Sequence, residues 1–84
     1  MNLAEKYQSR CKSIIRMKHM SVNSFCSMVE QSDSFLSRWQ VLNTLTSENP
    51  RIIYMSEIAR VLGVRLEKLL FSDDIRDVIG EEDE

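Results

Sequence analysis

Apolar residues recur along this chain at intervals of three and four, and that spacing most limits what it can fold into. Leu3, Tyr7, Cys11, Ile14 and Ile15 fall on one face of a helix, because side chains three or four apart lie above one another at 3.6 residues per turn. Lys6, Arg10, Lys12, Arg16 and Lys18 fill the positions between them, giving a first helix with a buried stripe and a basic surface. Val22, Phe25, Cys26 and Val29 repeat the pattern behind Ser21, whose hydroxyl can accept an orphan N–H as an N-cap. Ser32 offers another cap. A third helix is expected over Asp33–Leu42, with Leu36 and Trp39 inward and Phe35 and Leu42 flanking. Asp33 in its first turn would suit the helix dipole. Two short capped helices joined by a two- or three-residue turn have helix-turn-helix geometry.

Residues 43–49 read as a loop. Asn49-Pro50 then restarts the chain, since proline at the first helical position gives up an N–H that had no partner. Met55, Ile58, Ala59 and Leu62 supply a fourth stripe and Gly63 a left-handed stop. Leu66, Leu69, Leu70 and Phe71 form a short fifth helix ending at Ser72-Asp73-Asp74. The 84 residues contain only two glycines and one proline, too few for a turn-rich β fold. The expectation is a compact, all-α, five-helix domain over residues 1–72 and a short, partly disordered acidic C-terminal tail over 73–84.

Charge divides the chain the same way. Residues 1–72 hold ten Lys or Arg and six Asp or Glu, whereas 73–84 hold seven acids and one Arg. A body of +4 therefore carries a tail of −6. Such tails serve as interaction or self-masking segments, or only keep the chain soluble. No apolar run approaches the roughly 20 residues of a membrane span, and the N-terminus lacks the basic-then-apolar order of a signal peptide. A cytoplasmic location is expected. Cys11 and Cys26, with His19 the single histidine, cannot supply a disulfide framework or a four-ligand zinc site. Both cysteines read as buried hydrophobes, with a redox link between them as the alternative. No Ser-His-Asp constellation or glycine-rich phosphate loop is present, so neither an enzyme nor a cofactor is expected.

Asn49-Pro50 followed by Met55, Ile58-Ala59, Leu62-Gly63-Val64 and Leu69-Leu70-Phe71 resembles the last two helices of lambda-repressor-like (Cro-type, xenobiotic-response-element family) helix-turn-helix DNA-binding domains. Ser21 and Phe25-Cys26 match the first motif helix of that family, and Ser32, Leu36 and Trp39 its recognition helix. The resemblance spans roughly Leu3 to Phe71. It implies a transcriptional regulator of phage, plasmid or antitoxin type, nucleoid-associated, that binds a palindromic operator in double-stranded DNA as a homodimer. Ser32 would open the recognition helix, and Asp33, Ser34, Ser37 and Arg38 would face the major groove. Arg38 is the strongest base reader, since its guanidinium can donate twice to guanine. Arg16, Lys18 and Arg51 would hold phosphates. Phe71, Ile75, Val78 and Ile79 are apolar residues at the chain end, where a dimer interface is expected.

The alternative is a protein-interaction module that keeps the fold without specific DNA binding, with a protein partner also possible through the acidic tail. It is favoured by Glu30 and Gln31, which stand where the family often has glycine and an apolar residue, and by Val22 in place of a phosphate-holding glutamine.

Overall fold

The computed structural model describes residues 2–79. They form six helices and no strand: α1 (Leu3–Met17), α2 (Val22–Gln31), α3 (Arg38–Thr44), α4 (Ile52–Leu62), α5 (Leu66–Phe71) and α6 (Ile75–Ile79). The all-helical expectation holds, with one helix more than the five expected.

The long first helix is the hub. Asn2 and Glu5 close a capping box at its start, satisfying two orphan donors at once. Tyr7, Cys11, Ile14 and Ile15 are buried as their spacing requires, while Leu3 is half exposed. Three of its polar side chains then fasten other elements. The Tyr7 hydroxyl donates to the Met55 carbonyl in α4 at 2.9 Å. Gln8 Nε2 donates to the Thr44 and Ser47 carbonyls, at 3.0 and 2.7 Å. Arg10 Nη1 donates to the Lys68 carbonyl of α5 at 3.1 Å. The bond to Thr44 satisfies a carbonyl in the last turn of α3, which has no partner further along its own helix, and the bond to Lys68 adds a second donor to a carbonyl that already accepts from the Ser72 N–H.

Two helices stop by the same device. After α4, Gly63 takes φ +80° and its N–H reaches the Arg60 carbonyl, while the Val64 N–H reaches Ala59. After α1, the equivalent position is His19 at φ +61°, with His19 N–H donating to Arg16 and Met20 N–H to Ile15. Both are Schellman closures; only the first has the residue that adopts this conformation without cost.

The middle of the chain differs from its sequence reading. Ser32 does not start α3. It ends α2, its hydroxyl donating to the Val29 carbonyl at 2.7 Å. Instead of a two- or three-residue turn, Ser32–Ser37 link α2 to α3. Ser37 is the true N-cap and forms a capping box with Gln40. This later start reorients the helix: Val41, Thr44 and Leu45 are buried and Trp39 is 70% exposed. Leu36 is buried as expected, but from the link. Residues 43 and 44, expected in a loop, finish α3. Arg51, not Asn49, precedes the first residue of α4, with no side-chain cap bond.

At the C-terminus, Ile75–Ile79 form α6, and Val78 belongs to the core. The stretch from residue 73 that reads as an acidic tail thus contributes a helix packed on α5. Its last part, residues 80–84, lies outside the described residues.

Candidate recognition surface

The link and α3 bring together most residues of the expected DNA-reading set, in roles that are mainly internal. The Ser34 hydroxyl accepts from the Leu36 N–H at 3.2 Å. The Ser37 hydroxyl accepts from the Gln40 N–H at 3.3 Å, and Gln40 Oε1 accepts in return from the Ser37 N–H at 2.8 Å. Arg38 is the first residue of α3 rather than a residue within a helix that began at Asp33. Its guanidinium folds back onto α2, donating to Ser27 Oγ at 2.8 Å and to Asn23 Oδ1 at 3.4 Å. Glu30 Oε1 lies 3.7 Å from the same group. A guanidinium whose fork is engaged this way must leave Ser27 before it can present two donors to a guanine edge. Asp33 is exposed in the link, near enough to Arg60 to act on its charge.

Behind the link stands α4. Arg60 donates to both carboxylate oxygens of Glu57, at 3.0 and 2.8 Å. That bond, helped by the Ser34 hydroxyl, holds the Glu57 carboxyl below its ordinary range. Glu57 is therefore ionised at neutral pH. Glu30, Asp33 and Glu57 thus face the link together with Arg38 and Arg60, and each of the two cations is already held by a carboxylate.

The link and the first turn of α3 also present aromatic rings. Phe35 is 60% exposed and Trp39 70%. Phe35 stands 6.3 Å from Tyr54, centroid to centroid, at a tilted 50°, within the range of favourable ring pairs. Gln40 Nε2 donates to the Tyr54 hydroxyl at 3.3 Å. One side of α3 is thereby tied to the ring that supports Phe35. Sequence periodicity places Trp39 in the core. The signal that relocates it is Ser37-Arg38-Trp39-Gln40, a capping-box pattern with serine and glutamine three apart.

The remaining candidates lie elsewhere. Arg16 and Lys18 are exposed at the end of α1, and Arg51 is exposed before α4. Of the four residues expected at a dimer interface, Val78 is buried in the chain's own core and Ile75 and Ile79 pack partly buried against it. Phe71 remains exposed, as do Leu3 and Ile52. Leu3 and Ile52 flank a shallow cleft of about 450 Å³ that also touches Pro50, Met55 and Leu70.

Cys11 and Cys26 are free and buried. Burial pushes the Cys11 thiol up to about 12, against a smaller opposing effect of its hydrogen bond with Tyr7. Burial also raises Cys26, with the nearby Arg38 charge acting the other way. Thiols held neutral are poor nucleophiles. Among the described residues no helix is long and apolar enough to cross a membrane.

No protein-family model matches this chain, and neither a curated protein nor a solved structure resembles it significantly.

Proposed function

We propose that this chain is a small helical protein-interaction module whose recognition surface is the aromatic face built by the α2–α3 link and α3. One observation carries the reading: Trp39 and Phe35 are largely exposed on the surface where the best candidate base reader, Arg38, is folded back onto α2. Exposing two large rings four residues apart in the chain opposes the hydrophobic effect, and exposed apolar surface of this kind marks binding sites. Trp, Tyr and Arg are also the residues that most often dominate protein interfaces. The surrounding charge argues in the same direction. Three carboxylates and two paired guanidinium groups make a poor landing site for phosphates, which are held by uncommitted cations.

Sequence-specific DNA binding, as a homodimer on a palindromic operator, is the second reading. It is favoured by the order α4, left-handed Gly63, α5, which the resemblance implies, and by the exposed cations Arg16, Lys18 and Arg51. Ser32, Asp33, Ser34, Ser37 and Arg38 would then be its reading set.

Anisotropy of a labelled random-sequence duplex, titrated at low and at physiological salt, separates the two. The interaction reading expects no salt-sensitive binding. Affinity that falls steeply with salt, and that drops when Arg16, Lys18 and Arg51 are neutralised, would establish the second reading.

A further inference from the structure

We infer that the occupant of the aromatic face is a basic amphipathic helix of another protein. This inference rests on the interaction reading and adds the chemistry of the partner.

Area comes first. Large aromatic side chains contribute roughly 150–250 Å² each, so Phe35 and Trp39, at 60% and 70% exposure, offer about 200–325 Å² of ring surface. A standard interface buries roughly 800 Å² on each partner, well beyond what these two rings supply. A single helix laid across them, with apolar anchors one turn apart, fits the size.

The face is also held in shape before anything binds. Phe35 leans on Tyr54, Tyr54 is bonded to Gln40, and Gln40 closes the capping box that fixes the start of α3 beside Trp39. A preorganised site loses less freedom on binding, which suits a short partner segment that must itself become ordered.

Charge sets the sign. Arg38 faces Glu30 and Arg60 faces Glu57, and Asp33 acts on Arg60 as well, so these three carboxylates outnumber the two guanidinium groups beside them. The last turn of α2, which runs into the link, contains no basic residue, and its carbonyl end adds partial negative charge. Lysines or arginines flanking a partner's apolar stripe would be attracted to Asp33 and to the end of α2. Glutamates there would be repelled.

The chain's one tryptophan is exposed in the first turn of α3, so its emission reports coverage of that turn directly. The probes are a helical Leu/Lys peptide and a Leu/Glu peptide of identical apolar pattern. The Leu/Lys peptide should shift Trp39 emission to the blue, saturably and less strongly as salt is raised, while the Leu/Glu peptide leaves it unmoved. Binding by variants is read from the anisotropy of labelled peptide, with circular dichroism to confirm that helix content is kept. Phe35→Ser should weaken the Leu/Lys peptide by about tenfold or more, as expected for an anchor. Asp33→Lys should reverse the preference between the peptides. Because Glu81, Glu82, Asp83 and Glu84 are also acidic, this reversal distinguishes the face from the chain end. An equal response to both peptides, or full binding by both variants, overturns the inference and leaves the interaction reading in place. No response to either peptide overturns it as well. A blue shift that grows with protein concentration alone would make a second copy the occupant, which also overturns it. Salt-sensitive binding to random duplex would instead overturn the interaction reading itself.

Discussion

Arg38→Ala gives opposite results under the two readings. The guanidinium makes one well-formed bond to Ser27 at 2.8 Å, one marginal contact with Asn23 at 3.4 Å and an ion pair with Glu30 at 3.7 Å. A hydrogen bond involving a charged group contributes roughly 1.5–3 kcal/mol when desolvated. The Arg38 and Glu30 side chains are 39% and 45% exposed, so solvent screening reduces that to about 1 kcal/mol, and an ion pair this open adds only about 0.2–1 kcal/mol. Against these gains, a positive charge in the first turn of α3 opposes the helix dipole by about 0.3–1 kcal/mol. The expected net cost of Arg38→Ala is about 1 kcal/mol, which lowers the Tm of a domain this small by roughly 4–8 °C. Urea melts followed by circular dichroism would measure it. Ser27→Ala should lose much of the same energy, and the double variant should cost less than the sum because the two side chains share one bond. If Arg38→Ala instead leaves stability unchanged and abolishes binding to a selected duplex, the guanidinium reads bases and its contact with α2 is incidental.

Leu36 and Phe35 are neighbours with opposite expectations. Leu36→Ala should cost about 2–5 kcal/mol in chemical denaturation because the side chain is buried, whereas Phe35→Ser should cost far less, and equal costs would mean that Phe35 is part of the core. His19→Gly should raise stability by about 0.5–1 kcal/mol in thermal melts, since glycine adopts the left-handed geometry of this Schellman closure without the penalty a Cβ brings; a loss would show that the imidazole makes a compensating contact. The two thiols should resist alkylation at neutral pH in the folded protein and react on unfolding. Because the folded Cys11 thiol sits at about 12 and an unfolded one near about 8.5, its contribution to stability is complete below the unfolded value and is lost as pH rises through that window. Denaturation midpoints at increasing alkaline pH, compared with those of Cys11→Ala, would reveal the slope.

The parts of this fold determined by the sequence alone are those where periodicity and end signals agree. In α1 the buried positions Tyr7, Cys11, Ile14 and Ile15 follow one stripe, and in α4 Met55, Ile58, Ala59 and Leu62 follow another that ends at Gly63. Ser21 has no rival as the cap of α2. Between residues 32 and 45 the signals conflict. Ser32 and Ser37 can both cap, and the apolar residues fit two helices, one through Leu36 and Trp39 and another through Val41 and Leu45. Only the tertiary structure chose. Val41, Thr44 and Leu45 are packed into the core, and Gln8 reaches from α1 to the carbonyls of Thr44, the last residue of α3, and of Ser47 beyond it. Capping α3 at Ser37 leaves Leu36 in the core and turns Trp39 to solvent. The chain end was decided in the same way: Ile75, Val78 and Ile79 read as uncovered because an acidic stretch shows no partner along its own sequence, and the folded core, reached where α6 packs on α5, gives Val78 a place to be buried. Local sequence sets which side chains can share a face, whereas the choice between two permissible faces depends on burial against residues far away in the chain.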